Sequence, residues 1–198
     1  MTRGVLLSGG IDSIALTYWK RPPIAFTIDY GQSAAVAEVR TALAVCSALS
    51  MRHEVICVNC SHLGSGDLAN KPPLEAAPMS EWWPFRNQLL ITLAAMKGIS
   101  LGITHLMVGS VKTDGVHADG SSSFFGRIND LVSMQEGGIE IIAPAIDLTT
   151  VELIRQAAIP PELLCWAHSC HRGNYACGAC RGCAKHYSTM AELGYEPY

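Results

Sequence analysis

The chain has 198 residues, 49% of them hydrophobic and 16% charged, with a formal net charge of -3. That length and composition suit a folded domain with a real core and exclude a disordered chain, and the acidic balance argues against nucleic acid as a partner. No apolar run reaches the roughly 18–20 residues of a membrane span and no signal-peptide layout opens the chain, so a cytoplasmic location is expected, where eight cysteines point to metal or catalysis before disulfides.

Residues 4–7 read as a strand and 13–20 as a helix closed by Pro22 and Pro23. Residues 24–30 form a second strand, dense in apolar and β-branched side chains. Residues 34–49 read as a helix with Val36, Val39, Leu43 and Cys46 recurring on one face. A third strand is expected at 53–59. Residues 61–84, rich in turn residues and carrying Trp82-Trp83, read as a long loop of the kind that is often functional. The two tryptophans suit a homodimer contact, a lid or buried packing equally. An apolar helix is expected at 86–101, a fourth strand at 105–111, a polar loop at 112–123 and a helix at 124–135. A fifth strand follows at 139–145. Thr149 with Glu152 forms a capping box opening a helix to residue 158, which Pro160-Pro161 ends. The cysteine-rich remainder closes with a helix at 184–193, stopped by Gly194.

This alternation predicts an α/β, Rossmann-like fold: a parallel five-stranded sheet with helices on both faces over residues 1–160, and a small cysteine-rich segment with a final helix over 161–198. Ligands in such sheets bind beyond the carboxyl ends of the strands. That edge gathers the turns at 8–13 and 30–32 and the loop at 112–120.

In "LLSGGIDS", two glycines, two hydroxyls and an acid sit where a strand turns into a helix. Unpaired N–H groups at a helix start, with the helix dipole, attract phosphate. Gly9 and Gly10 let backbone approach an anion, and Ser8 and Ser13 add donors. Asp12 would repel phosphates unless it holds a divalent cation, Mg²⁺, bridging to them. The pattern is neither a Walker loop nor the dinucleotide fingerprint. It resembles the pyrophosphate loop of the N-type ATP pyrophosphatases, which implies ATP with Mg²⁺ as cofactor.

Cys170, Cys177, Cys180 and Cys183 are spaced C-x6-C-x2-C-x2-C. Two-residue gaps let thiolates converge on one tetrahedral ion, which suggests structural zinc. An iron–sulfur cluster and catalytic thiols are the alternatives. His168, His171 and His186 are candidate replacement ligands. Cys165 lies outside the spacing, and Cys46, Cys57 and Cys60 read as inert small apolar residues.

Together, "LLSGGIDS", "FTIDYGQ" with Glu38, "PFRNQLLITLAA", "MVGSVKTD", "APAIDLTTVELI" and "CWAHSC…CGACRGC" resemble the 7-cyano-7-deazaguanine synthase (QueC, ExsB-type) family over most of the chain. The resemblance implies an adenine nucleotide alpha hydrolase-like fold. It implies an ATP-dependent carbon–nitrogen ligase that adenylates 7-carboxy-7-deazaguanine. Ammonia then converts the adenylate to the amide, and a second adenylation gives the nitrile preQ0, with AMP and pyrophosphate released. A small-molecule acid and ammonia are the implied partners. Ser8, Gly9, Gly10 and Ser13 are assigned to phosphate and Asp12 to Mg²⁺. Tyr30, Gly31 and Gln32 are expected to line the nucleotide or substrate pocket. Arg86 suits a phosphate or carboxylate, and its place at a helix N-terminus, where the dipole disfavours a cation, favours function. Asn87 caps that helix or binds ligand. Lys112 and Asp114 are catalytic candidates, and Asp114, His117 and Asp119 are candidates for the substrate base. Where the family carries Tyr-Pro-Asp-Cys-Arg after its fourth strand, this chain has "GVHADGSSSFFGR". A diverged member that stops at the amide or uses another acid or amine, and a tRNA-modifying enzyme with the same loop, are the alternatives.

Overall fold

The computed structural model describes residues 2–196. In chain order the elements are β1 (Arg3–Leu6), α1 (Ile11–Lys20), β2 (Ile24–Asp29), α2 (Ala35–Ala48), β3 (Arg52–Cys57), the short α3 (Gly66–Ala69) and α4 (Arg86–Ile99). Then come β4 (His105–Met107), α5 (Ser122–Ser133), β5 (Glu140–Ile142), α6 (Thr150–Ala157), the short α7 (Pro161–Leu164) and α8 (Arg181–Leu193). No helix among the described residues is long and apolar enough to cross a membrane.

The strands form one parallel sheet in the order β3-β2-β1-β4-β5. Connections run outward in both directions from β1, so right-handed crossovers place α1 and α2 on one face and α4 and α5 on the other. Strand alternation divides the core accordingly. Val5, Leu7, Ala25 and Met107 pack with α1, α2 and α6 on one face. Phe26, Ile28, Leu106 and Ile141 pack with α4 and α5 on the other. Phe26, Leu16, Ile91 and Leu106 are fully buried, and each such side chain contributes roughly 1.5–3 kcal/mol. Leu163, Leu164, Ala167 and Met190, from beyond residue 160, join the first of these clusters. The strand order reverses between β1 and β4, and a crevice opens there.

Several elements differ in detail from expectation. Helix α2 does not bury the face marked by Val36 and Leu43, which are 67% and 59% exposed. Its buried face is Ala35, Ala37, Thr41, Ala42, Val45 and Cys46, small side chains that let the helix lie close on the sheet. Helix α1 starts at Ile11, so Asp12 and Ser13 fall inside its first turn. The loop at 61–84 contains α3, and the loop after β4 winds into two 3-10 turns, Lys112–Val116 and Ala118–Gly120. Helix α5 begins earlier than expected because Ser121 Oγ accepts from Phe124 N at 3.2 Å. Thr149 and Glu152 do form the capping box of α6. Cys57, at the end of the edge strand β3, is exposed and Cys60, in the turn beyond it, is half-buried, unlike the buried Cys46.

Candidate active site

Beyond the carboxyl ends of β1 and β4 lies a cleft of about 880 Å³. Ser8, Gly10, Asp12 and Ser13 line it. Ser8 Oγ donates to Ser13 Oγ at 3.2 Å, and Ser13 Oγ donates to the Gly10 carbonyl at 2.9 Å. No side chain caps the N-terminus of α1, so its positive end and first-turn amides are left for an anion. The two glycines differ in purpose. Gly9 has φ +78°, and a Cβ there would sit 3.0 Å from the Glu38 carbonyl oxygen. It lies behind the cleft, its own carbonyl accepting from His168 N at 2.9 Å. Gly10 has φ −74°, and a Cβ there would meet only Ser8 Oγ, at 3.6 Å.

Asp12 faces a cation that sequence reasoning missed. Lys185 Nζ, from α8, donates to Asp12 Oδ2 at 2.8 Å and to Asp114 Oδ1 at 3.3 Å. Burial raises the pKa of Asp12, Lys185 lowers it, and Asp114 adds to the rise. Asp12 Oδ1 is buried with no hydrogen-bond partner among the described residues, and the Thr150 hydroxyl, also without one, lies near enough to lower the Asp12 pKa. A bare carboxylate oxygen beside an uncapped helix start fits a hard cation with oxygen ligands. Lys112, expected here, does not line the cleft. It opens a 3-10 turn as an exposed residue with its backbone N–H on the Leu148 carbonyl, and Lys185 supplies the cation instead.

A second group surrounds Arg86. Tyr30, Glu38 and Arg86 all line the cleft. Burial drives the Tyr30 hydroxyl far above its ordinary range and the Glu38 carboxyl up to about 7, against the Gln32 hydrogen bond and the Arg86 charge. Burial works against the Arg86 charge, but Tyr30, Asp119, Glu38 and Asp114 together raise its pKa. Gly31 and Gln32 do not line the cleft, contrary to expectation. The Gln32 amide is consumed locally, donating to the Ile28 carbonyl at 3.1 Å and to Glu38 Oε2 at 2.8 Å, while its oxygen accepts from Tyr30 N. Gly31 turns at φ +92° against Ser61. Trp83 is buried edge-on to Tyr30, centroids 4.8 Å apart.

The candidate base readers are held by structural bonds. Asp114 Oδ2 accepts from Val111 N at 3.0 Å, so both of its oxygens have partners. Asp119 Oδ2 accepts from Asn87 N at 3.2 Å, capping α4, and Asn87 Nδ2 donates back to the Asp119 carbonyl at 2.8 Å. Asn87 therefore joins α4 to the turn after β4. His117 faces the cleft with Glu81, which sequence reasoning did not single out. Glu81 Oε1 accepts from His117 Nε2 at 3.1 Å and from Arg181 Nη1. Burial opposes ionisation of Glu81, but bonds from His117, the backbone and Arg181 outweigh it and hold the carboxyl at about 2. Glu81 Oε2, His117 Nδ1 and His171 Nδ1 are buried without partners among the described residues.

Cys170, Cys177, Cys180 and Cys183 come together with their sulfurs within 4.8 Å of one another. Two sulfur pairs lie at 4.0 Å, close to the roughly 3.8 Å between thiolates around a tetrahedral ion with 2.3 Å bonds. The set fits a tetrahedral metal. Backbone N–H groups of Ala179 and Cys180 lower Cys177 to about 6, while burial pushes Cys183 up to about 12. Cys180 Sγ also caps α8, accepting from Cys183 N at 3.5 Å. A Cβ on Gly182 would overlap the Ser169 carbonyl oxygen, so α8 can press on this loop only with glycine there. The loop is tied down by Asn174 Oδ1 to Ala37 N at 3.0 Å and by an Arg172–Asp67 ion pair at 3.0 Å. His168 Nε2 is bonded to the Gly173 carbonyl at 2.9 Å, and His186 is buried beside the cluster.

The family model described as "Queuosine biosynthesis protein QueC" matches residues 4–194. A 7-cyano-7-deazaguanine synthase from Desulforudis audaxviator is 30% identical over 91% of this chain and 92% of its own length. Proteins of the same name from Chlorobium phaeobacteroides and Methanosarcina barkeri are 27% and 28% identical, over 97% and 96% of this chain and 93% of each relative. Among solved structures, NMN synthetase from Francisella tularensis aligns over 98% of this chain and 78% of its own at 15% identity and a TM-score of 0.49.

Proposed function

The chain belongs to the QueC family of queuosine-biosynthesis proteins, and on that premise we propose that it is an ATP-dependent carbon–nitrogen ligase. Its reaction converts a 7-carboxy-7-deazaguanine-type acid and ammonia, by way of the amide, to the nitrile preQ0, with release of AMP and pyrophosphate. The observation that carries this reading is the corner at residues 8–13. There an uncapped helix start, two serine hydroxyls and the bare Oδ1 of Asp12 face one cleft.

A carboxylate is a poor electrophile. Its attack on the α-phosphorus of ATP releases pyrophosphate and leaves AMP as a leaving group, which ammonia displaces to give the amide. Repetition on the amide oxygen lets AMP depart with formation of the nitrile. The protein's share is positioning and charge stabilisation. Ser8, Ser13 and the first amides of α1 hold phosphate oxygens, and Gly10 leaves them room. Asp12 is the residue that would hold Mg²⁺, which when bound offsets phosphate charge. Lys185 presents its ammonium to the same region, and Arg86 offers a planar fork to the acid's carboxylate or a phosphate. Cys170, Cys177, Cys180 and Cys183 are the residues that would hold zinc, which when bound would brace the segment from which Arg181 and Lys185 project.

Purified protein given Mg-ATP, 7-carboxy-7-deazaguanine and ammonium should form preQ0 and AMP, followed by mass spectrometry. Absence of acid-dependent AMP release overturns the reading. Amide as the end product confines it to the first half of the sequence.

A further inference from the structure

One wall of the cleft carries an acceptor that this chemistry leaves unused. Glu81 is only 5% exposed. Its Oε1 is held by His117 and Arg181, whereas Oε2 is buried and has no hydrogen-bond partner among the described residues. Because an ionised carboxylate only accepts, the hydrogen of that contact sits on His117 Nε2, and His117 Nδ1 is likewise buried without a partner among the described residues. Buried acceptors without donors are costly, and a ligand N–H relieves that cost.

We propose that Glu81 Oε2 reads an N–H-bearing edge of a neutral aromatic heterocycle in the cleft, with His117 and Arg181 as the residues that position it. The proposal rests on the reading that the acid is of the 7-deazaguanine type, and assigns the group that recognises its ring. Charge selects the class of ligand. Arg86 and Arg181 border the same cleft and repel an ammonium ion or other cation. The negative charge of Glu81 repels a phosphate or carboxylate. A neutral planar donor satisfies both, and the ring N–H and exocyclic amino group of a guanine-like ring offer such donors. The other carboxylates nearby are engaged differently: both oxygens of Asp114 have partners, Asp119 caps α4, Glu38 Oε2 accepts from Gln32, and Asp12, though its Oδ1 is bare, is paired through Oδ2 with Lys185 at the helix corner.

The test is calorimetric binding of three unreactive bases: 7-deazaguanine, 7-deazahypoxanthine, which lacks the amino group, and 1-methyl-7-deazaguanine, which lacks the ring N–H. Wild-type protein should bind one of the latter two about tenfold more weakly than 7-deazaguanine, since a buried polar partner is then left unpaired. Glu81→Gln should bind 7-deazaguanine about tenfold more weakly than wild type and lose that discrimination. Metal content is measured in parallel to show that the fold persists. Where Glu81→Gln loses its metal, Glu81→Asp, which keeps the charge but withdraws the oxygen, carries the same comparison. Wild-type discrimination retained in the variant overturns the proposal, as does a wild-type protein that binds none of the bases. AMP release with 7-carboxy-7-deazaguanine separates the two ideas. Turnover with unchanged KM in Glu81→Gln sinks this proposal and spares the ligase, whereas no wild-type turnover sinks the ligase while base binding still judges Glu81.

Discussion

Glu38 meets neutral pH with its carboxyl pushed from 4.5 up to about 7 by burial. Between those two values the folded chain holds a proton that the unfolded chain has released. Stability attributable to this residue therefore falls as pH rises through that window and levels off above it. Glu38→Gln removes the effect. Urea unfolding of both proteins should show the variant gaining roughly 2 kcal/mol on wild type between pH 4.5 and 7.5, and parallel stability profiles would contradict this. Arg86 sits against Tyr30 and Glu38 in the same cleft. Arg86→Gln removes a fork that glutamine does not imitate, so kcat/KM for AMP release should fall about 100-fold or more, with metal content unchanged. The sequence pointed to Arg86 because a cation at a helix N-terminus runs against the dipole. It marked Glu38, a first-turn acid of α2, only as part of the family resemblance, and carried no signal for Glu81, whose partners lie 36 and 100 residues away.

The β1–α1 corner separates two jobs that one dipeptide performs. Gly9→Ala would force a Cβ into a left-handed residue, 3.0 Å from the Glu38 carbonyl. Unfolding experiments should show a loss of roughly 1–3 kcal/mol. Gly10→Ala has ordinary φ and space on the protein side, so its stability should stay within about 0.5 kcal/mol of wild type. Its ATP affinity should drop about tenfold or more, because the methyl group occupies room kept for phosphate. Equal losses of stability in both variants would show the corner to be only a turn. Elements of this kind were readable from sequence because their causes are local: strand-to-helix alternation, paired glycines, the Thr149–Glu152 box. Helix α2 was turned the wrong way because Val36 and Leu43 outweigh alanines in any hydrophobic count, although alanine is what close packing on a sheet requires. Gly31 and Gln32 looked like pocket residues, yet the Gln32 amide serves the backbone of its own turn.

At the scale of the whole molecule, the four-cysteine segment builds part of the cleft. Arg181 and Lys185 follow Cys180 and Cys183 on α8, and the loop before them is bonded to Gly9, Ala37 and Asp67. Chelating the metal should therefore lower both the melting temperature and the affinity for ATP, and zinc should restore both. A chelated protein with full ATP affinity would show the segment to be an independent appendage. Four cysteines announce their cluster through spacing alone, but nothing local says that Lys185 reaches Asp12 across 173 residues. That reach also sets an order of events during synthesis. A ribosome delivers the Asp12 corner early and Lys185 near the end. A product cut short in between carries the Asp12 corner without Lys185 and without the four-cysteine wall of the cleft, so on the proposed reading it should bind no ATP.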